Sequence, residues 1–354
     1  MPELTFLKAL EEANRLLLTV RLRPVQGDRF QPTGFPSLGA ATYQTKDGVK
    51  LLVESAQSMA NRLEMTCWDD GAQAPVTALQ GISHVTVNRR GVFLTDSMLE
   101  AHRINSPYLL AGKDRAFFNK LKADLGRLEE GPIDRKKLTE ALFRYDVSSL
   151  IHGVFLEKIA GRLRVARSLS AFIEAVGVSV AASGGVKNDH VNPSGVTKDG
   201  FGNVPFSRDE FVAKQIECYF NLDLAQIRGY SLSEEATEML ILLGLYRIRK
   251  LLDGDLRLRT ACDLEVDDEV ADRVRPAGFA LPSLKELEVA VRSAIDRCQG
   301  AMEHTTVTFE DELKREKKPK RDEKDIGSGD QNDDESGEES GEESGDDADD
   351  ASGS

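Results

Sequence analysis

The chain has 354 residues, with 46 basic and 60 acidic side chains, 40% hydrophobic and 6% aromatic residues, enough for one large domain or two small ones. Its formal charge of −14 is unevenly placed. Residues 325–354 carry 13 Asp or Glu and no Lys or Arg, whereas residues 1–313 hold 39 basic against 44 acidic groups, a net of −5, so the acidity describes a tail and the bulk balance does not announce nucleic acid.

Cys67, Cys218, Cys262 and Cys298 lie far apart without a CxxC pair, which argues against a zinc ribbon and a disulfide framework and for a reduced, cytoplasmic chain. Residues 1–13 do not read as a secretory signal. The longest dense apolar run, Met239 to Tyr246, is eight residues, against the roughly 20 of a membrane-spanning helix.

Leu16, Leu18, Val20 and Leu22 alternate with Thr19, Arg21 and Arg23, predicting a strand with a basic open face. Val25 to Gly39, with Gly27, Pro32, Gly34, Pro36 and Gly39, reads as a loop. Its polar residues, Gln26, Asp28, Arg29, Gln31 and Thr33, make it a candidate contact surface. From Val49 to Met65 the apolar spacing predicts one helix. Its polar side places Ser55, Ser58 and Arg62 in one row and Gln57 with Asn61 in the next. Hydroxyls, amides and one guanidinium suit phosphate and ribose; a neutral surface or a protein interface is the plainer alternative.

Residues 81–95 suggest two short strands around Asn88-Arg89-Arg90-Gly91. Helices are predicted over 114–129 and 133–143, strands over 149–159 and 162–166, and a further strand over 169–180. Arg162, Arg164 and Arg167 form the densest basic patch of the body. Residues 181–206, holding Lys187, Asp189, His190 and five glycines, read as a long functional or disordered loop. A strand over 212–224, a largely buried helix over 233–252 and an amphipathic helix over 284–298 follow. Without a βαβ repeat or an internal duplication, the class is α+β. From Lys314 the chain is basic, then built of Asp, Glu, Ser and Gly. The expected domains are therefore a folded body, 1–313, and a disordered tail, 314–354, which solubilises the protein or competes with nucleic acid for basic groups.

Phosphate-loop, nucleophile-elbow, zinc-protease and dinucleotide motifs are absent. The five histidines are scattered, so neither a metal nor a cofactor is expected; His190 beside Asp189 is the one of interest, and Asp28 is a lone candidate for RNA cleavage.

Two stretches carry a resemblance: Arg21 to Gln44, RLRPVQGDRFQPTGFPSLGAATYQ, and Glu54 to Glu64, ESAQSMANRLE. They resemble the backbone subunit of the type I-G (formerly I-U) CRISPR Cascade, the Cas-seven group of the RAMP superfamily. The likeness covers about residues 1–310 in order of segments, with Gly161 to Gly185 matching less sharply and the acidic tail outside it. It implies an RRM-like (ferredoxin-like) palm with inserted finger and thumb elements. Copies of the chain would line up along a crRNA with other Cascade subunits and present it for pairing with target DNA in antiviral defence. The resemblance implies no catalysis.

Carried over residue by residue, it assigns RNA binding to Arg21, Arg23, Gln26, Arg29, Ser55, Gln57, Ser58, Asn61 and Arg62. Arg162, Arg164, Arg167 and Lys187 are secondary candidates. RNA held whatever its sequence must be gripped by phosphate and 2′-OH, and the low aromatic content suits backbone holding better than base stacking. The alternatives are an RNA-cleaving subunit using Asp28 and a protein-only scaffold.

Overall fold

A computed structural model describes residues 4–311 except 36–38, 47, 127–133, 158, 160–162, 188–203, 255 and 270–271. The chain divides into two units, Met1–Asp311 and Glu312–Ser354; every described residue belongs to the first, and the expected tail lies outside them.

Strand β1 (Arg15–Pro24) follows its alternation, with Leu16, Leu18, Val20 and Leu22 at most 2% exposed. Residues 42–45 (β2, Thr42–Thr45) and β3 (Gly48–Glu54) form a hairpin, and helix α1 (Ala56–Met65) begins only after it. The single helix expected over 49–65 is therefore corrected to a strand and a shorter helix. Leu51-Leu52-Val53 fits either period, and pairing on both sides selects the strand. Ser55 caps α1, accepting from the Ser58 backbone N–H at 3.2 Å.

An insertion follows. Strands β4 (His84–Arg89) and β5 (Val92–Asp96) are the predicted hairpin, and α2 (Ala116–Asp124) and α3 (Arg135–Tyr145) are the predicted helices. The strand expected from residue 149 is corrected: α4 (Ser148–His152) is helical, and only β6 (Val154–Leu156) and β7 (Leu163–Val165) pair. The insertion is tied to α1 by Arg103, which donates to both Glu64 carboxylate oxygens at 2.6 and 2.7 Å. Burial raises the Glu64 pKa while Arg103 opposes it.

Strand β8 (Leu169–Val176) returns to the main sheet. The expected long loop is corrected in part, because β9 (Ser179–Lys187) and β10 (Val204–Val212) form a nine-residue antiparallel ladder. Residues 188–203, with His190, lie outside the described residues. Strand β11 (Gln215–Asp223), α5 (Leu224–Arg228) and α6 (Glu234–Gly254) follow, then β12 (Arg257–Arg259), β13 (Cys262–Val266), β14 (Arg273–Arg275), α7 (Leu284–Cys298) and β15 (His304–Thr308). The last strand runs parallel to β4, with His304 opposite His84.

The main sheet has the order β12-β13-β1-β11-β8-β3-β2, with β14 also on β1, and each of its ladders is antiparallel. One face is apolar: Leu18 and Ala171 both lie opposite Phe220, and Val20 and Ile173 opposite Cys218. Helix α6 packs closely there, since a Cβ on Gly244 would stand 2.9 Å from Leu222 Cδ1. The other face carries Arg21, Glu174 and Glu217, with Phe172 stacked on Tyr219 at 4.8 Å. Among the described residues no helix is long and apolar enough to cross a membrane.

Candidate nucleic-acid interface

The polar face of α1 is organised by Glu54, the last residue of β3, which is 1% exposed. Its Oε1 accepts from the Ser58 hydroxyl and, at 2.9 Å, from Arg62 Nε. Its Oε2 accepts from Arg259 Nη2. Arg62 also donates to the carbonyls of Leu258 (2.5 Å) and Arg257 (3.3 Å). Arg259 Nη1 reaches the carbonyls of Gln31 (3.0 Å) and Val53 (3.2 Å). Two guanidiniums share one carboxylate, so the cluster keeps one net positive charge, and each arginine side chain is 24% exposed. Fixed, partly accessible guanidiniums of this kind suit phosphate.

The cluster extends both ways. Arg208 Nη1 donates to the Gln31 side-chain oxygen at 3.3 Å, while its Nε and Nη2 hold Glu210. At the start of α1, Arg167 donates to the Gln57 side chain and, at 3.5 Å, to the Ala56 carbonyl. Burial and the nearby Arg103 lower the Arg167 pKa, with Glu64 opposing. Asn61 and Gln57 are exposed.

The other predicted residues lie apart from this cluster. Arg21 and Arg23 occupy the sheet face opposite the apolar one. Arg21 pairs with Glu217 (3.4 Å), which also holds Arg273 (3.0 Å), and Arg23 pairs with Glu265 (2.8 Å). Arg23 is held further above its ordinary pKa by that Glu265 bond. Gln26, Asp28 and Arg29 are exposed on a loop pinned at its ends, where Val25 N donates to Asp263 O (2.9 Å) and Phe30 N to Phe211 O (2.9 Å). Arg164 is exposed, its guanidinium 4.5 Å from the Phe155 ring centre. Arg162 lies outside the described residues, as does the Lys187 side chain at the end of β9.

Sequence reading placed Gln31 on the candidate contact loop but missed Glu54, Arg208, Arg257 and Arg259. The alternation Leu256-Arg257-Leu258-Arg259 was the available signal for the last two. Among the described residues no group of three or more His, Cys, Asp and Glu is placed to hold a metal ion.

Residues 16–180 match the model of the family described as CRISPR-associated protein GSU0053. No curated protein matches the chain. Similar solved structures include a chain of a CRISPR RNA-guided surveillance complex in a pre-nicking state, 13% identical, with TM-score 0.39, over 72% of this chain and 74% of that one. A second CRISPR RNA-guided surveillance complex is 12% identical, with TM-score 0.37, over 78% and 75%. Csc2 of Thermofilum pendens is 10% identical, with TM-score 0.31, over 81% and 76%. Both stretches on which the sequence resemblance rests fall inside residues 16–180, and over that span the chain is similar to a CRISPR-associated protein family.

Proposed function

We propose that the chain is a non-catalytic backbone subunit of a type I Cascade, of the I-G kind, that oligomerises along crRNA in the cytoplasm. In this reading it grips phosphate and ribose, displaces a base at intervals while leaving the rest free to pair with target DNA, and contacts other copies of itself and other Cascade subunits in antiviral defence. The family match over residues 16–180 supports the CRISPR setting. The single observation that carries the RNA-holding role is the Glu54 cluster, which presents Arg62 and Arg259 beside the hydroxyls and amides of α1.

The strand order β13-β1-β11-β8, with α1 between β1 and β8 and α6 between β11 and β13, supports reading the core as an RRM-like palm. The insertion between α1 and β8 would then supply fingers, and the β9–β10 hairpin a thumb. A chain of this kind positions RNA without making or breaking its bonds, so its side chains need to donate rather than transfer protons.

The test is co-expression with a CRISPR array and the neighbouring subunits, followed by recovery of bound RNA. Arg62→Gln and Arg257→Gln are expected to reduce retained RNA severalfold, and equally for unrelated spacers. Arg257 is exposed and only its backbone carbonyl joins the cluster among the described residues, so its variant separates binding from folding. Retention unchanged in both variants, or assembly indifferent to nuclease, would overturn the reading in favour of a protein-only scaffold.

A further inference from the structure

A cavity of about 410 Å³ opens between the start of α3, strand β7 and the turn after α5, within the size range of small-molecule sites. Arg135, Lys136, Thr139, Arg164, Gln226 and Tyr230 line it, and none of the described residues lining it is acidic.

The nearby carboxylates are engaged elsewhere. Asp134 caps α3, accepting from the backbone N–H groups of Lys136 (3.1 Å) and Lys137 (3.2 Å). Asp223 caps α5 through the Gln226 N–H (2.9 Å) and pairs with Arg15 (3.2 Å). Among the described residues, Glu140 is the carboxylate that approaches a cavity cation, 3.9 Å from Lys136 Nζ in an exposed pair, which screens it weakly. Among the described residues, three cations therefore share the cavity with little compensation. The polar wall behind them is already fixed: the Tyr230 hydroxyl donates to Leu150 O and accepts from Gln226 Nε2, each at 2.7 Å. Leu138, Val165 and the Tyr230 ring supply an apolar side.

The cavity and the α1 cluster draw on the same short stretch of chain. Arg164 lines it, and three residues later Arg167 holds Gln57 at the start of α1.

We propose that this cavity binds a nucleoside monophosphate unit. Arg135, Lys136 and Arg164 take the phosphate, and the apolar side accommodates the base. The unit is either a residue of the bound RNA strand or a free nucleotide; the inference deepens the RNA-holding reading and rests on it only for the first source.

The experiment titrates the full-length protein with AMP by calorimetry at moderate salt, alone and then saturated with a 20-nucleotide RNA. Saturable AMP binding is expected. The triple variant Arg135→Gln, Lys136→Gln, Arg164→Gln is expected to weaken it at least about tenfold, as loss of charge-assisted contacts should, while Lys285→Gln on α7 leaves it unchanged. All three cavity cations are exposed, so the variant keeps the fold, which its unfolding temperature checks. Displacement of AMP by RNA assigns the site to the strand; simultaneous binding assigns it to a free nucleotide. AMP binding without any RNA binding would sink the RNA-holding reading and leave the cavity proposal standing. No saturable AMP binding, or equal affinity in the triple variant, overturns the cavity proposal.

Discussion

Glu54 carries the electrostatics of the interface, because its buried carboxylate is the shared acceptor for Ser58, Arg62 and Arg259. Glu54→Ala leaves two guanidiniums without their acceptor. The expected loss is about 3 kcal/mol of unfolding free energy, at the low end for a broken buried pair because both arginines can rehydrate; urea denaturation measures it. Asp146 tests a different residue-scale effect. Its carboxyl is fully buried, accepting from Ile104 N (3.0 Å) and Ser149 Oγ (2.7 Å), and burial pushes its pKa up to about 6. A raised carboxyl favours the folded state in its protonated form, so this contribution is full below the unfolded value of about 3.9 and is lost as pH rises through about 6. The stability difference between the wild type and Asp146→Asn is expected to grow in favour of the wild type as pH falls across that window. A pH-independent difference would contradict it. The row Ser55, Ser58, Arg62 was legible in the sequence because capping and helical neighbours are local. The second guanidinium on their shared acceptor was not, since Glu54 and Arg259 meet across 205 positions.

At the scale of elements, local signals were read well where one period dominated and poorly where two competed. Helix α7 shows the first case. Ser283 accepts from Glu286 N, and the Glu286 side chain returns to Ser283 N at 3.0 Å, a reciprocal cap; Ser283→Ala is expected to cost about 1 kcal/mol by thermal or urea unfolding. Residues 49–53 show the second case, since the run of Leu51, Leu52 and Val53 suits helix and strand alike. The choice falls to β2 and β8 on either side. Residues 179–187 are rich in Gly and Ser, and only their partner, residues 204–212, makes them a strand. Near residue 149, the Asp146 side chain accepts from Ser149, a local bond that favours a turn of helix over the strand suggested by Leu150 and Ile151.

At the scale of the whole molecule, the α+β class was legible from the irregular mixture of elements, whereas the strand order was not, because it depends on partners hundreds of residues apart. A body with a net charge of −5 can hold RNA only through a local basic track. RNA affinity is therefore expected to fall steeply between 50 and 200 mM salt, and each phosphate-contacting arginine removed should flatten the log–log slope by about 0.7. Fluorescence anisotropy over a salt series measures both, and a salt-independent affinity would refute the track. The position of β1 bears on how such a body is made. Residues 15–24 form the first long strand, yet among the described residues their ladder partners are 216–223, 264–266 and 273–275. At a ribosomal rate of about 5–20 residues per second, that strand waits on the order of ten seconds or more for its neighbours. During that interval Leu16, Leu18, Val20 and Leu22 are an apolar edge without a sheet, the kind of segment that chaperones shield during synthesis.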